Sequence, residues 1–335
     1  MTRDRIGVGV VGTGLMGRRH AENVARWIPE ARLVAAFDAD QRLASRVAQD
    51  LDAVACGSFD ALLDRDDVRV VVIASPARFH AEQAVAALSR GKDVLLEKPM
   101  AHSLADCDRV IGAAAQGSAR LQIGFMRRYD PAYAEAKRLI AAGALGEPLL
   151  IRAVHRDREA THLPAASGVT DMMFESTIHD FDLSRFFFGD EIGSVTTTAS
   201  VLCHARGTHG HAPNAALSSV RFTEGVLADI ETYWGALYAY DVRMEVVCAE
   251  GTAMIGAGRR TALAVLTPGG ATHDLFPGFL ERFADAYRAE VSDFVRGAPE
   301  RRPPAVSGLD GRAAVAAALA GIASYESGVT APVPI

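Results

Sequence analysis

Six residues constrain this chain more than any others: Gly12-Thr13-Gly14-Leu15-Met16-Gly17, spaced G-x-G-x-x-G. The spacing alone is weak, but it follows the apolar run Ile6–Val11 and opens a stretch of helical periodicity, Met16–Trp27. Strand, glycine turn and helix in that order make a phosphate cradle, because each glycine has a separate task. Gly12 permits the tight turn, Gly14 lets the backbone approach a pyrophosphate with no Cβ in the way, and Gly17 lets the helix pack closely on the strand. The helix start then offers free N–H groups and positive dipole to the phosphates, with Thr13, Leu15 and Met16 in the same turn. A glycine-rich turn without a ligand is the rival reading, and the agreement of all three elements weighs against it.

The alternation continues down the chain. Apolar β-type runs at Leu33–Phe37, Val68–Ala74, Val94–Leu96 and Leu121–Gly124 are separated by helical stretches near Gln41–Asp50, Phe79–Arg90 and Ser103–Ala115. Repeated βαβ units of this kind predict a parallel sheet. The continuous run Val70-Val71-Val72-Ile73 reads as a strand covered on both faces. Asp38 closes the second strand roughly 20 residues beyond the glycines, where a carboxylate binds the ribose hydroxyls of an adenosine and repels a 2′-phosphate. The cofactor expected is NAD; NADP stays open because Arg42 can offset that repulsion if it turns inward. A helix cap is the other reading of Asp38, though Asp40 can serve as that cap.

Two further motifs carry chemistry. Val94-Leu95-Leu96-Glu97-Lys98-Pro99 puts Lys98 at the carboxyl end of a buried strand, where ligands bind in open α/β sheets. There its ammonium can stabilise the charge that develops on a substrate oxygen. Pro99 fixes the turn and is a candidate cis residue. Ser75, Pro76 and His80 follow the strand ending at Ala74, so they are candidates for the cofactor side of the cleft, as is Glu97. In Phe174-Glu175-Ser176-Thr177-Ile178-His179-Asp180-Phe181-Asp182, Glu175 and His179 are i and i+4 on a helix expected over Met172–Phe188, and share a face. A neutral imidazole suits proton removal from an alcohol. Glu175 or Asp182 can orient it, while Asp180 points elsewhere. A solvated Glu–His pair is the plain alternative.

Composition excludes several classes. Lys plus Arg number 35 against 41 Asp plus Glu, a formal charge of −6, so no nucleic-acid partner is expected. The four cysteines, Cys56, Cys107, Cys203 and Cys248, contain no Cys-x-x-Cys pair and read as buried thiols. His204, His209 and His211 lack a fixed ligand set, so no metal is expected. The run Ile6–Val11 is too short for a signal h-region, and Ala313–Ala323 falls short of the ~18 apolar residues of a membrane span. A cytoplasmic chain with no membrane partner is the expectation. Gly143–Pro148 punctuates the chain after a helix at Pro131–Ala142; strand-like pieces follow to about residue 267, then helices at Phe279–Val295 and Gly311–Tyr325.

Taken in order, Gly12–Gly17, Glu97-Lys98-Pro99, Gly124-Phe125-Met126-Arg127-Arg128-Tyr129-Asp130-Pro131, Leu145-Gly146-Glu147-Pro148 and Ile178-His179-Asp180-Phe181-Asp182 resemble the Gfo/Idh/MocA oxidoreductases over nearly the whole chain. Tyr238–Arg243, Glu281–Tyr287 and Asp310-Gly311 are most similar to the inositol 2-dehydrogenases within that family. The resemblance implies a Rossmann dinucleotide-binding domain at 1–125. It also implies an α+β domain at 126–335, whose largely antiparallel open sheet serves substrate binding and oligomer contacts, as a homodimer or homotetramer. The C-terminal helix can pack back on the first domain. Lys98 matches the family's active-site lysine, His179 its catalytic histidine and Glu175 its acidic member; Arg127, Asp157 and Tyr240 are further substrate contacts. The implied activity is oxidation of a ring hydroxyl of a cyclic polyol, myo-inositol or a relative, to a ketone. Glu175 stands where Asp is usual, Met126 where Asn is usual, and Thr170-Asp171 where Gly-Gly is frequent, so an aldose or amino sugar remains a rival substrate. A dinucleotide-binding regulator without turnover is the rival from another class.

Overall fold

The computed structural model describes residues 5–158, 168–202, 212–256, 259–261 and 263–334. Cys203, His204, His209 and His211 lie outside them. The chain forms two compact units, residues up to Tyr129 with Asp285–Val315, and Asp130–Ala284 with Ala316–Ile335.

The sheet of the first unit holds β1 (Ile6–Val11), β2 (Ala31–Phe37), β3 (Val54–Ala55), β4 (Val70–Ile73), β5 (Asp93–Glu97) and β6 (Leu121–Gly124). Their order is β3-β2-β1-β4-β5-β6, and every neighbouring pair is parallel. This is the doubly wound arrangement, whose ligand site lies where the order reverses, between β1 and β4. Helices α1 (Leu15–Trp27), α2 (Gln41–Leu51), α3 (Phe59–Leu63), α4 (His80–Ser89) and α5 (Leu104–Gln116) form the crossovers. The short elements β3 and α3 escape sequence reading because two and five residues are too few for any periodicity.

The second unit opens with α6 (Pro131–Ala141), which Asp130 caps by accepting from the Ala132 N–H. Its sheet joins β7 (Pro148–Asp157), β8 (Ile192–Ser200), β9 (Ala215–Phe222), β10 (Leu227–Trp234), β11 (Asp241–Cys248) and β12 (Thr252–Ile255) with β15 (Ala331–Pro332) at one edge, and β13 (Ala264–Thr267) pairs with β14 (Gly270–His273) separately. Only β7 and β10 run parallel, so the sheet is mixed and mostly antiparallel. Strict burial alternation along β9, β10 and β11 gives it one core-facing side and one open side. The expected single helix over Met172–Phe188 is three pieces: α7 (Val169–Met172), a π turn at Met173–Thr177, and α8 (Ile178–Phe188). Likewise Phe279–Val295 is not one helix. α9 (Phe279–Arg282) ends at Phe283, whose buried ring meets Tyr240 at 6.2 Å, and α10 (Ala284–Arg296) begins beyond it. α11 (Gly308–Ser327) follows.

A hydrophobic core of the first unit sits between β1, β4 and β5 (Val8, Val10, Val70, Val72, Leu95) and two helices, α1 through Ala21 and Val24 and α10 through Val291, Phe294 and Val295. Arg120 stacks on the Phe294 ring at 4.4 Å, donates to the Phe294 carbonyl and pairs with Asp93 at 3.0 Å. Removing that ring leaves a cavity and strips the guanidinium of its stacking face. F294A is expected to destabilise the first unit by about 3–5 kcal/mol, read from urea unfolding followed by circular dichroism.

Candidate active site

The glycine turn is built by backbone contacts that exclude side chains. Gly12 has φ +79°, and a Cβ there would lie 2.4 Å from the Ser75 nitrogen; one on Gly17 would lie 1.6 Å from the Gly12 oxygen. A Cβ on Gly14, by contrast, meets no atom within 4 Å. Gly14 is also the residue preceding α1 and carries no side-chain cap, so the amide end of the helix opens onto that space. Backbone bonds from Gly12 N–H to the Phe37 oxygen and from Ala74 N–H to the Val11 oxygen knit together the ends of β1, β2 and β4.

Asp38 completes the cradle. One carboxylate oxygen accepts from the Thr13 N–H at 2.6 Å and the Thr13 hydroxyl at 3.1 Å, and the other accepts from the Asp40 N–H at 2.9 Å. The cap of α2 falls to Asp40, which accepts from the Arg42 N–H. Arg42 turns outward, its side chain 91% exposed and doubly bonded to the Asp40 carboxylate. A cavity of about 430 Å³ runs beside these groups, lined by Gly12, Asp38, Phe59, Ser75, Pro76 and Phe79 among others, a size suited to part of a small-molecule ligand. Open glycine, helix N-terminus and a carboxylate at the end of β2 together fit a dinucleotide.

His80 is buried, and its two ring nitrogens lie 2.8 Å from the Pro99 and Ser75 carbonyl oxygens. Burial pulls its pKa below the usual value, against the two carbonyls. Its side chain braces the turns after β4 and β5, and Ser75 is fixed by donating to Gln83 at 2.5 Å. The Lys98–Pro99 peptide is cis, as the turn suggested. Glu97 is buried and receives the Lys98 N–H at 3.1 Å, while its other oxygen meets His20 Nε2 at 2.7 Å. His20 was missed from sequence, although its signal is there: it sits in phase with Gly17, Ala21 and Val24 on the buried face of α1. Arg127 is almost wholly buried in a 3-10 turn at Met126–Tyr129 of the same unit.

In the second unit, Glu175 lies within the π turn and the buried His179 just beyond it. The turn is fastened to β10 from beneath. Thr177 meets the Thr232 hydroxyl at 2.8 Å, and Trp234 Nε1 donates to Ser176 at 2.9 Å. Single π turns frequently mark functional sites, because a widened turn redirects the flanking side chains. Asp157 ends β7, its carbonyl receiving the Gly235 and Ala236 amides. Two residues earlier, His155 faces the core. Its Nδ1 lies 3.2 Å from Asp180, and its ring meets the buried Tyr240 edge-on at 6.0 Å. His155 thereby links the strand bearing Asp157, the helix bearing His179, and Tyr240. Its signal was the inward parity of Ile151, Ala153 and His155 along β7. Asp180 and Asp182 are both buried, and Asp180 is engaged by His155.

A family model for the oxidoreductase family with an NAD-binding Rossmann fold matches residues 6–125, and one for the GFO/IDH/MocA C-terminal domain matches residues 133–254. The chain belongs to the Gfo/Idh/MocA oxidoreductases. Inositol 2-dehydrogenase 4 of Saccharopolyspora erythraea is 36% identical, covering 100% of this chain and 98% of its own. The scyllo-inositol 2-dehydrogenase (NAD(+)) of Bacillus subtilis is 30% identical over 96% of this chain and 94% of its own. The crystal structure of Lactobacillus casei scyllo-inositol dehydrogenase with NAD(H) and scyllo-inositol bound has 28% identity and a TM-score of 0.92, over 98% of this chain and 99% of that one. This member of the family is thus an NAD-dependent oxidoreductase with the expected Rossmann domain and mixed-sheet partner. No helix among the described residues is long and apolar enough to cross a membrane, and no three His, Cys, Asp or Glu among them gather as a metal site. Cys56, Cys107 and Cys248 are free and buried, and burial pushes the Cys107 thiol up to about 12.

Gly14 and Gly17 should separate binding from folding. G14V fills open space, so the melting temperature stays unchanged while NAD affinity, measured by calorimetry, falls at least about tenfold by blocking the pyrophosphate. G17A forces a Cβ into the Gly12 carbonyl and costs about 1–3 kcal/mol or more of stability.

Proposed function

We propose that the chain oxidises a ring hydroxyl of an inositol to the ketone with NAD as acceptor. The observation that carries the reading is the pairing of chemistry-bearing motifs with full-length similarity to inositol dehydrogenases. Lys98 follows β5 at a buried turn and Glu-Ser-Thr-Ile-His runs across a π turn, both in the family's order. Oxidation of a carbinol removes one hydride from carbon and one proton from oxygen. The bound cofactor supplies hydride acceptance at its nicotinamide.

This chain supplies the rest. A ring nitrogen of His179 takes the hydroxyl proton, and the Lys98 ammonium donates to the same oxygen, stabilising its alkoxide character as the carbonyl forms. Glu175 orients the ring or binds a neighbouring hydroxyl, while Arg127, Asp157 and Tyr240 contact the remaining hydroxyls. On the cofactor side, Gly12, Thr13, Gly14, Leu15, Met16 and Gly17 hold the pyrophosphate, Asp38 the ribose, and Ser75, Pro76, His80 and Glu97 shape the turns beside it. Asp38 and the outward Arg42 support a preference for NAD over NADP. Glu175 carries one methylene more than the Asp usual in the inositol enzymes, and a ~1 Å displacement of a positioned group is worth on the order of a hundredfold in rate, so the isomer accepted need not be that of any relative.

Nicotinamide absorbance, followed with NAD or NADP and a panel of myo-inositol, scyllo-inositol, other isomers and aldoses, tests this. Turnover of an inositol with NAD is expected, with K98A and H179A each losing at least about a hundredfold in kcat while still binding NAD. Turnover of aldoses alone would move the substrate, and binding without any turnover would make the chain a regulator.

We also propose that the open face of the second sheet joins copies of the chain. Leu217 and Met254, 57% and 78% exposed, are apolar positions on strands of that sheet, more consistent with a covered surface than a solvated one. Light scattering should return a dimer or tetramer, and L217D should shift it toward monomer.

A further inference from the structure

Helix α10 carries a carboxyl that the proposed reaction does not use. Glu290 is fully buried, and neither of its oxygens has a hydrogen-bond partner. It lies one turn along from Tyr287, whose ring meets His20 edge-on at 5.8 Å, and beside Val291 in the core packed between α1 and the sheet. His20 is the residue whose Nε2 stands 2.7 Å from Glu97, and Glu97 in turn receives the Lys98 amide. Glu97 and Glu290 are thus two buried carboxyls of the first unit, and the charge of Glu97 bears on Glu290. Glu290 also bears on Tyr129, whose hydroxyl is 3.1 Å from Gln122 Oε1 and 3.3 Å from Asp293 on the outer side of α10.

Physical chemistry decides which of the pair carries charge. An ionised carboxylate away from water needs donors. Glu97 has the His20 ring and the Lys98 amide facing its two oxygens; Glu290 has neither. Burial first, and the charge of Glu97 second, hold the Glu290 carboxyl well above the usual carboxylate range. Burial and then Glu290 push the Tyr129 phenol up in the same way. A neutral buried acid with no bond is a standing cost to the fold, and groups of this kind concentrate where a site needs them.

We propose that Glu290 is a positioning residue for Lys98: as the neutral member of a buried carboxyl pair it leaves the pair's charge on Glu97, which holds His20 and the Lys98 turn. This rests on the reading of Lys98 as catalytic. Ionised Glu290 would repel Glu97, loosening the turn that presents the lysine.

The linkage has a definite sign. Glu290 keeps its proton in the fold above the ordinary glutamate value of 4.5, at which the unfolded chain releases it. Stability present below that pH is therefore lost as pH rises from there through the folded-state value. E290Q, neutral throughout, escapes that loss.

The purified, full-length enzyme allows three readouts. Infrared difference spectra of wild type against E290Q at pH 7 should show one protonated-carboxyl C=O band belonging to Glu290. The melting temperature of E290Q should match wild type near pH 4.5 and exceed it increasingly as pH rises. At neutral pH E290Q should keep kcat within about threefold, and the alkaline decline of kcat in wild type should follow loss of the infrared band and move to higher pH in E290Q. Absence of the band, a pH-independent gap in melting temperature, or an alkaline profile identical in both proteins would each overturn the proposal. If E290Q does not fold, the wild-type band and kcat titrations must still coincide, and divergence overturns it. Full activity of K98A would instead remove the residue to be positioned while the infrared result still reports the charge of Glu290, so the two failures are distinguishable.

Discussion

Backbone packed on backbone at the end of β1 is the constraint on which the first unit depends. Gly17 approaches the Gly12 carbonyl, and Gly12 the Ser75 backbone, so closely that neither position has space for a methyl group. That contact seats α1 against β1 and aims the helix start outward past Gly14. The same approach brings the loops after β1, β2 and β4 together through Gly12, Phe37, Val11 and Ala74. Asp38 then reaches Thr13, and a cavity forms beside the two. An open helix N-terminus and the carboxylate beside it thus follow from one steric condition at the point where strand order reverses.

The second unit solves a different problem: how to hold polar groups inside a core. Its sheet turns Thr232 and Trp234 of β10 toward the π turn, where they satisfy Thr177 and Ser176. His155 of β7 does the same for Asp180. Each of these buried groups is bonded to a neighbouring element, which is how such groups are tolerated away from water. The consequence is rigidity around Glu175, His179, Asp157 and Tyr240, since a bonded buried network admits few alternative arrangements.

Much of this was legible. The strands Ile6–Val11 and Leu121–Gly124 lie where their apolar runs end, and the helices after Ser103 and Asp130 start where those capping residues stand. Lys98 sits beyond β5 as its motif required. Illegible were features with no period of their own. The two residues of β3 take strand form only because β2 lies alongside. The break at Phe283 exists because its ring is buried against Tyr240, and the π turn because β10 grips the helix from below. None of these leaves a trace in local spacing, since each depends on a partner distant in the chain.

By itself, then, the sequence determined the kinds of element, their order, and the glycine turn with its adjoining carboxylate. These rest on local sterics, capping and alternation, which act between residues close along the chain. Tertiary structure decided the state and partners of the polar groups: His80 braced between two carbonyls, Arg42 turned out to Asp40, His155 joined to Asp180, and Glu290 sealed in beside Glu97. Whether a carboxyl is ionised or an imidazole is occupied depends on dielectric and on donors brought from other elements, and both come into existence only when the core closes.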